Sequence, residues 1–361
     1  MQNRLEYHPI FYTLLFSLGL YLCLGLLLLG SAIEGNYYLL YKQIFHILLS
    51  LTVGMLIMRI PSTHLQQLSY LLYTLGIGLL ILVLAIGYTG KGAQRWLDLG
   101  FIRFEPSEIM KIALPLTLAS RAEQDGVPIR GSSLILCLFL VFLPFLLIAK
   151  QPDLGTASIV AIIGMLTLLV TGFPFRYCAY GVLGLIVSSP VLWHLLHGYQ
   201  KQRILTLLMP ENDISGKGYH IMQAKIAIGS GKLFGQGWLQ GTQSHLDFLP
   251  EHNTDFIFAL GAEEFGFLGS CLLMTIFFII MYQCVLISIR AQNIFTRIAS
   301  AGITIAFSIC TFINIAMVCG MIPVVGIPLP LISYGGTTMV ITLLGFSIVL
   351  SCSKQEKLFA S

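Results

Sequence analysis

Charge is what this chain is short of. Only 10% of its 361 residues are Asp, Glu, Lys or Arg, while 56% are apolar. An average soluble domain carries about 25% charged residues, so an ordinary water-soluble domain is excluded. The net charge is only +4 and no block of Lys and Arg resembles a nucleic-acid footprint. We therefore expect no nucleic-acid partner. Paired cysteine motifs are missing too. Cys23, Cys137, Cys178, Cys271, Cys284, Cys310, Cys319 and Cys352 sit in or at the edges of apolar runs, and none forms a CxxC. In such runs cysteine acts as a small hydrophobe, which argues against a disulfide framework or a cysteine metal site. There is no internal repeat and no low-complexity tract. No small-residue cleavage site clearly follows the first apolar run, 9–30, which is long for a signal-peptide core. It reads as the first anchor.

Apolar runs are what the chain has in quantity. A bilayer-spanning helix needs roughly 20 mostly apolar residues. Ten segments qualify as candidates, at about 9–30, 43–60, 67–87, 107–121, 132–149, 156–173, 177–198, 256–289, 299–320 and 330–353. Only helices or closed barrels span bilayers, and barrel strands would read as alternating segments of about ten residues. The expected fold is therefore all-α: one polytopic integral membrane domain, 1–361, of about ten transmembrane helices. The fourth segment is short and opens with charge. The eighth is long, so its start reads as a separate half-turn or lead-in segment.

An even number of spans puts both termini on one side, and the distribution of Lys and Arg should say which. With the N-terminus inside, nine basic residues fall on the inner side and ten on the outer. Five of the outer ten lie in one long loop, 199–255, and loops near that length are poor orientation signals. Without it the count is nine against five, which places both termini in the cytoplasm and the long loop outside. That loop is too long for a mere connector. Within it, YHIMQAKIAIGSG (219–231) mixes Ile221, Met222, Ile226 and Ile228 with Gln223 and Lys225, as an interfacial amphipathic helix does. Gly229, Gly231, Gly235, Gly237 and Gly241 follow as turn points.

Several polar clusters invite chemistry. GSGK at 229–232 is not a nucleotide loop, because Ile226 and Leu233 stand where a Gly and a Ser or Thr are needed. His245, Asp247, Glu251, His252 and Asp255 either form an oxygen-rich site for a hard cation or are a solvated loop; no fixed ligand spacing decides. Glu108 and Lys111 open the fourth segment at i,i+3 and share a helix face. A charge at mid-bilayer costs about 2.5–3.5 kcal/mol even on lenient scales. The two are expected to pair inside the bundle, although Glu108 also suits a helix N-terminus. Asp153 in KQPDLGT (150–156) is either a cap or turn residue or a functional carboxylate. KGAQRWLDLGFIRF (91–104) reads either as basic and aromatic anchoring at the interface or as a place where Arg95 and Arg103 hold a phosphate. PLPLISYGG (328–336) breaks the chain before the last span. At membrane depth such backbone is tolerated only in protein or along a cavity, pointing to a polar cavity near Ser333 and Tyr334.

Taken together, KGAQRWLDLGFIRFEPSEIMKIA, QPDLGT, YHIMQAKIAIGSGKLFGQGW, GTQSHLDFLPEHNTDFIFALGAEEFG and PLPLISYGG resemble, in order and over essentially the whole chain, the SEDS (shape, elongation, division and sporulation) family, and its elongation branch in particular. The resemblance implies a ten-helix peptidoglycan glycosyltransferase of the bacterial inner membrane. Its substrate would be lipid II and its product a β-1,4-linked glycan strand. Its partners would be a class B penicillin-binding protein transpeptidase and other membrane proteins of the elongation complex. By the same resemblance, Asp255 of TDFIF is the essential residue, Glu108 and Lys111 are the pair of PSExxK, and Asp153 is the aspartate of QPDLG. Glu105 and Asn253 depart from the family pattern, which has Gln and a basic residue there.

On that reading Asp255 takes the proton of the attacking 4-hydroxyl, a role typically worth about 10²–10⁴-fold. An α donor and a β product require inversion, so no covalent sugar intermediate is needed. The departing pyrophosphate requires cations or a divalent metal such as Mg or Mn. Arg95, Arg103, Lys111, Lys217 and Lys225 are the candidates for the first, and the metal is left open. Glu251 and His252 are assigned supporting roles. Two alternatives from other classes remain: a lipid II flippase, and a non-catalytic scaffold for the penicillin-binding protein.

Overall fold

The computed structural model of the chain describes residues 9–33, 35, 37–90, 93–98, 103–195, 198–209, 216–245 and 251–353. The chain runs through α1 (Pro9–Ala32), α2 (Tyr37–Ile57) and α3 (Ser62–Ile86), then β1 (Tyr88–Gly90), β2 (Ala93–Asp98) and β3 (Arg103–Phe104). It continues through α4 (Pro106–Asp125), α5 (Gly131–Lys150), α6 (Leu154–Val170), α7 (Phe175–Leu195), α8 (Gly198–Leu208), α9 (Lys217–Ser230) and α10 (Thr242–His245). It closes with α11 (Ile257–Arg290), α12 (Ile294–Val318) and α13 (Gly336–Cys352).

Each of the ten apolar segments forms a helix within a few residues of the expected bounds. Among the described residues, α1, α2, α3, α5, α11 and α12 are long and apolar enough to cross a membrane. The helices α6 and α13 and the Phe175–Val191 part of α7 are apolar but shorter.

The bundle is layered around α4 and α12, which pack on each other; α4 also touches α3, α5, α6 and α13. The peripheral helices turn residues such as Phe16, Leu48, Leu71 and Phe139 outward, all exposed. Such side chains suit lipid, which is as apolar as they are. By contrast α4 carries five charged residues, Glu108, Lys111, Arg121, Glu123 and Asp125, and is not among the helices apolar enough to span. Its face is protein on nearly every side, so its polar groups find partners rather than lipid. Helix α4 begins as its sequence demands, with Pro106 at the first position and Glu108 in the first turn.

The departure from an all-α fold is small and local. Residues 88–104 form a three-stranded antiparallel sheet in the order β1-β2-β3, with Tyr88 opposite Trp96 and Asp98 opposite Arg103. These strands, of three, six and two residues, are too short to signal a sheet by alternation against so many helices. The sheet lies between α3 and α4 in the chain, and β2 packs against both.

The eighth segment is two pieces. Helix α11 contains one non-helical residue, Gly266, at φ 66° and ψ −162°. Before it, residues 257–264 are all buried; after it, Phe267, Leu268 and Leu272 are exposed. The lead-in piece is thus packed inside protein, and only 267–290 faces outward along its length.

Candidate functional site

Asp255 does not stand directly at the mouth of a spanning helix. It lies in the turn 251–256 ahead of the buried lead-in piece of α11 and is half-buried. Three braces hold that turn. Asn314 of α12 donates from Nδ2 to the backbone carbonyls of Asp255 (2.9 Å) and Ile327 (2.7 Å). Ser333 donates from Oγ to the Thr254 carbonyl (2.5 Å) and accepts from the Leu329 amide (2.8 Å). His252 donates from Nε2 to the carbonyl of Ala32, at the end of α1 (2.8 Å). The Tyr334 amide adds a bond to the Asn253 carbonyl (2.9 Å), and Gln43 of α2 donates to the Ser333 carbonyl (3.1 Å).

PLPLISYGG is therefore a splint, tying α2 and α12 to the aspartate turn. Its Ser333 faces backbone partners rather than open space, so the polar cavity expected beside it takes another form. Gly326, at φ 83°, lies over the carboxylate: a Cβ there would stand 3.4 Å from Asp255 Oδ2. Glu251, at φ 63°, closes the turn by accepting from the Thr254 and Phe256 amides (3.1 and 3.3 Å).

On the other side of the splint lies a second polar group. Lys111 Nζ donates to Glu108 Oε1 at 2.6 Å, and both side chains are buried. The pair lines a small cavity of about 30 Å³, whose walls include Cys310, Ile327, Pro328 and Thr338. Asp255 is not in that lining, but Ile327 is shared: it lines the cavity and Asn314 holds its carbonyl. Arg95 and Asp153 extend the cluster. Asp153 caps α6, accepting from the amide (3.2 Å) and hydroxyl (2.7 Å) of Thr156, and its Oδ2 lies 3.1 Å from Arg95 Nε. Both capping and charge pairing thus apply to Asp153, while Arg95 is committed to a carboxylate.

Glu105, just ahead of α4, accepts from Ser107 Oγ at 2.8 Å. Burial, then the neighbouring Glu108 carboxylate, push its carboxyl up to about 7, against the opposing pull of Lys111. Three carboxylates, Glu105, Glu108 and Asp153, stand here with the cations Lys111 and Arg95, an excess of negative charge that favours the protonated form of Glu105.

Other expected site residues are placed apart. Lys225 is exposed on α9 beside Gly320, at the C-terminal end of α12. The side chains of Arg103, Lys217 and His245, and all of Asp247, lie outside the described residues. Among the described residues no three His, Cys, Asp or Glu side chains gather as metal ligands.

Sequence reasoning missed four side chains that the structure makes important. Asn314 is fully buried in an apolar helix, and a lone amide in such a run is itself a signal, since it is retained only with partners. Gln43 is the same kind of residue. Glu263 and Glu264 are fully buried; Glu263 accepts from the Gln243 amide (2.8 Å), and Glu264 accepts from the Leu239 amide (3.0 Å) and from the hydroxyl of Ser31.

Comparison with known proteins gives a consistent picture. Residues 6–358 match the family model FTSW_RODA_SPOVE, described as cell cycle protein. The chain is 42% identical over 349 residues to the peptidoglycan glycosyltransferase MrdB of Escherichia coli strain K12, covering 96% of this chain and 94% of that protein. It is 38% identical to the protein of the same name from Helicobacter pylori strain 26695, over 88% of this chain and 83% of that one. Among solved structures, a chain from a peptidoglycan synthase complex, studied for its coordination of polymerization and crosslinking, superposes with a TM-score of 0.83 at 30% identity, covering 96% of this chain and 98% of that one. The rod shape determining protein RodA of Thermus thermophilus superposes with a TM-score of 0.74 at 28% identity, over 98% of each chain.

Proposed function

The chain belongs to the FtsW/RodA/SpoVE family, and on that premise we propose that it is a peptidoglycan glycosyltransferase that polymerises lipid II into β-1,4-linked glycan during cell elongation. It works in the bacterial inner membrane as a single domain crossing ten times, with both termini in the cytoplasm and 199–255 outside. It acts beside a class B penicillin-binding protein that crosslinks its product.

One observation carries the assignment of chemistry. Asp255 is the carboxylate whose own backbone is fixed from two sides, through Asn314 and through Ser333 at Thr254. A general base must be held still relative to the hydroxyl it deprotonates. Asp255 accepts the proton of the acceptor 4-hydroxyl as that oxygen attacks the anomeric carbon, and undecaprenyl pyrophosphate leaves from the opposite face. Glu251 and His252 shape the turn, the first through its backbone and the second through its bond to α1. Arg95, Arg103, Lys111, Lys217 and Lys225 remain the candidate cations for the departing pyrophosphate, Arg95 and Lys111 each being held by a carboxylate. Through Asp153, Arg95 also ties the sheet to α6. No step here is routed through a metal.

The test is polymerisation of purified lipid II by the chain with its partner. Asp255→Asn, folded and still bound to the partner, should lose glycan product by at least ~100-fold. Wild-type polymer from that variant would remove the base assignment. Lipid movement across vesicles without any glycan product would point to a flippase, and partner-dependent growth with Asp255 dispensable would point to a scaffold.

A further inference from the structure

The segment 232–241 has an unusual combination of properties. It carries five large or flexible side chains outward: Lys232, Leu233, Phe234, Trp238 and Leu239 are all exposed, Phe234 at 78%. Yet its backbone is not open to solvent in the way a surface loop's is. The amides of Gln236 and Gly237 donate to the carbonyls of Glu263 and Glu264 (2.9 and 3.0 Å), and that of Gly235 donates to Gly231 (2.7 Å). The amides of Phe267 and Leu268 donate back to the carbonyls of Lys232 and Leu233 (2.9 and 3.1 Å). The Leu239 amide is taken by the carboxylate of Glu264. Gly266 opens α11 so that these exchanges can occur: a Cβ on it would stand 2.7 Å from the Leu233 carbonyl oxygen and 2.8 Å from that of Gly231.

Position supplies the rest. At about 1.5 Å per residue, 267–290 is long enough to cross the roughly 30 Å hydrocarbon core alone. Its upper exposed residues are Phe267, Leu268 and Leu272. Because the amides of Phe267 and Leu268 are bonded to the carbonyls of Lys232 and Leu233, the loop is joined to the start of that span, where both carry exposed apolar side chains. Exposed Lys232 stands at the start of this apolar patch. Non-helical backbone is tolerated at membrane depth when its polar groups are satisfied by protein, and α11 takes the amides of Gln236, Gly237 and Leu239 and donates to the carbonyls of Lys232 and Leu233. Trp at such a level and Lys beside it are the usual interface anchors.

We propose that 232–241 is a re-entrant membrane anchor, which sinks Leu233, Phe234, Trp238 and Leu239 into the leaflet at the N-terminal end of the α11 span. Its occupant is lipid: acyl chains around the apolar side chains and headgroup phosphates near Lys232. Through Glu263 and Glu264 the anchor grips the piece of α11 that follows Asp255, so it sets the height of that carboxylate above the membrane. The placement in the leaflet does not depend on the catalytic assignment.

The experiment uses the full chain, without a partner, in vesicles of phosphatidylcholine and phosphatidylglycerol. Trp96→Phe with Trp193→Phe leaves Trp238 as the only indole. Phosphatidylcholine brominated near the headgroup end of its acyl chains should quench Trp238 several-fold more than dissolved iodide does. The same emission can be isolated without touching Trp96 or Trp193, by subtracting the Trp238→Phe spectrum from that of the unaltered chain. Strong iodide quenching with no effect of brominated lipid, by either route, places the loop in water and overturns the proposal. Lipid quenching that persists in catalytically dead Asp255→Asn shows that the anchor stands apart from the chemistry.

Discussion

Asn314 and Asp255 are joined through the backbone, not through their functional groups. The Nδ2 of a fully buried amide holds the carbonyl of the aspartate at 2.9 Å, and the same nitrogen holds Ile327 at 2.7 Å. One side chain thus sets the distance between the aspartate turn and the segment that separates it from the Glu108–Lys111 cavity.

Replacing Asn314 with Leu keeps the volume and removes the donor. Two buried carbonyls then lose their partner, which costs about 1–3 kcal/mol for each group left unsatisfied. The carboxylate remains, but its position is no longer fixed. We expect glycan formation to fall by about 10–100-fold in kcat, with a much smaller change in KM, since small misplacements are expensive in oriented reactions. Steady-state polymerisation with lipid II separates the two constants. An equal loss in kcat/KM and in bound lipid, with kcat unchanged, would assign Asn314 to substrate binding instead.

The Glu108–Lys111 pair makes a prediction about stability. Both groups are buried and bonded at 2.6 Å. Removing one partner strands a buried charge, a change that costs about 3–5 kcal/mol. Lys111→Met alone should therefore lower the unfolding midpoint in detergent far more than Lys111→Met combined with Glu108→Gln. Additive losses would show that the two side chains do not depend on each other.

Glu105 predicts how stability responds to pH. Its carboxyl is raised from 4.5 to about 7, by burial first and then by Glu108. The groups that face it are Glu108, Lys111 and Asp153, with Ser107 donating a hydrogen bond, and Arg95 stands behind Asp153. A raised carboxyl favours the fold in its protonated form. That contribution is fully present below about 4.5 and is lost as pH rises through about 7. Glu105→Gln is neutral throughout, so melting curves taken from about pH 5 to pH 8 should fall less steeply with pH than those of the unaltered chain, with the largest gain at the alkaline end. Parallel curves for the two proteins would locate the titration elsewhere.

Much of this architecture was legible in the sequence because it rests on long apolar runs, and lipid enforces those strictly. The helices at the ten apolar runs follow from that pattern, as does the pairing of Glu108 with Lys111, whose spacing and depth leave few other ways to satisfy two charges. The lead-in piece of α11 could be anticipated from length alone. What was not legible depends on contacts between distant segments. Asn314 meets Asp255 from 59 positions away, and no local pattern encodes that bond. The sheet at 88–104 was hidden because its strands are too short to show a period. The pairing of Arg95 with Asp153, 58 positions along the chain, was equally out of reach of any local pattern.

Gly266 offers the sharpest local test of the interlock between α11 and the loop before it. At φ 66° and ψ −162° its backbone lies in a region that is essentially glycine-only, and a Cβ would press on the carbonyl oxygens of Gly231 and Leu233 at 2.8 and 2.7 Å. Gly266→Ala should cost about 1–3 kcal/mol from the backbone alone, with further loss from the displaced loop. Gly19, inside α1, has nothing within 4 Å of where its Cβ would stand. There the same substitution should be neutral or stabilise by about 0.5–1 kcal/mol, because Ala is the better helix former. Midpoints of thermal unfolding in one detergent compare the two directly. The expected order is Gly19→Ala at or above the unaltered chain and Gly266→Ala well below it. If Gly266→Ala melts with the unaltered chain, the break in α11 is not held by the loop, and the grip of Glu263 and Glu264 on 232–241 is not what fixes the turn at Asp255.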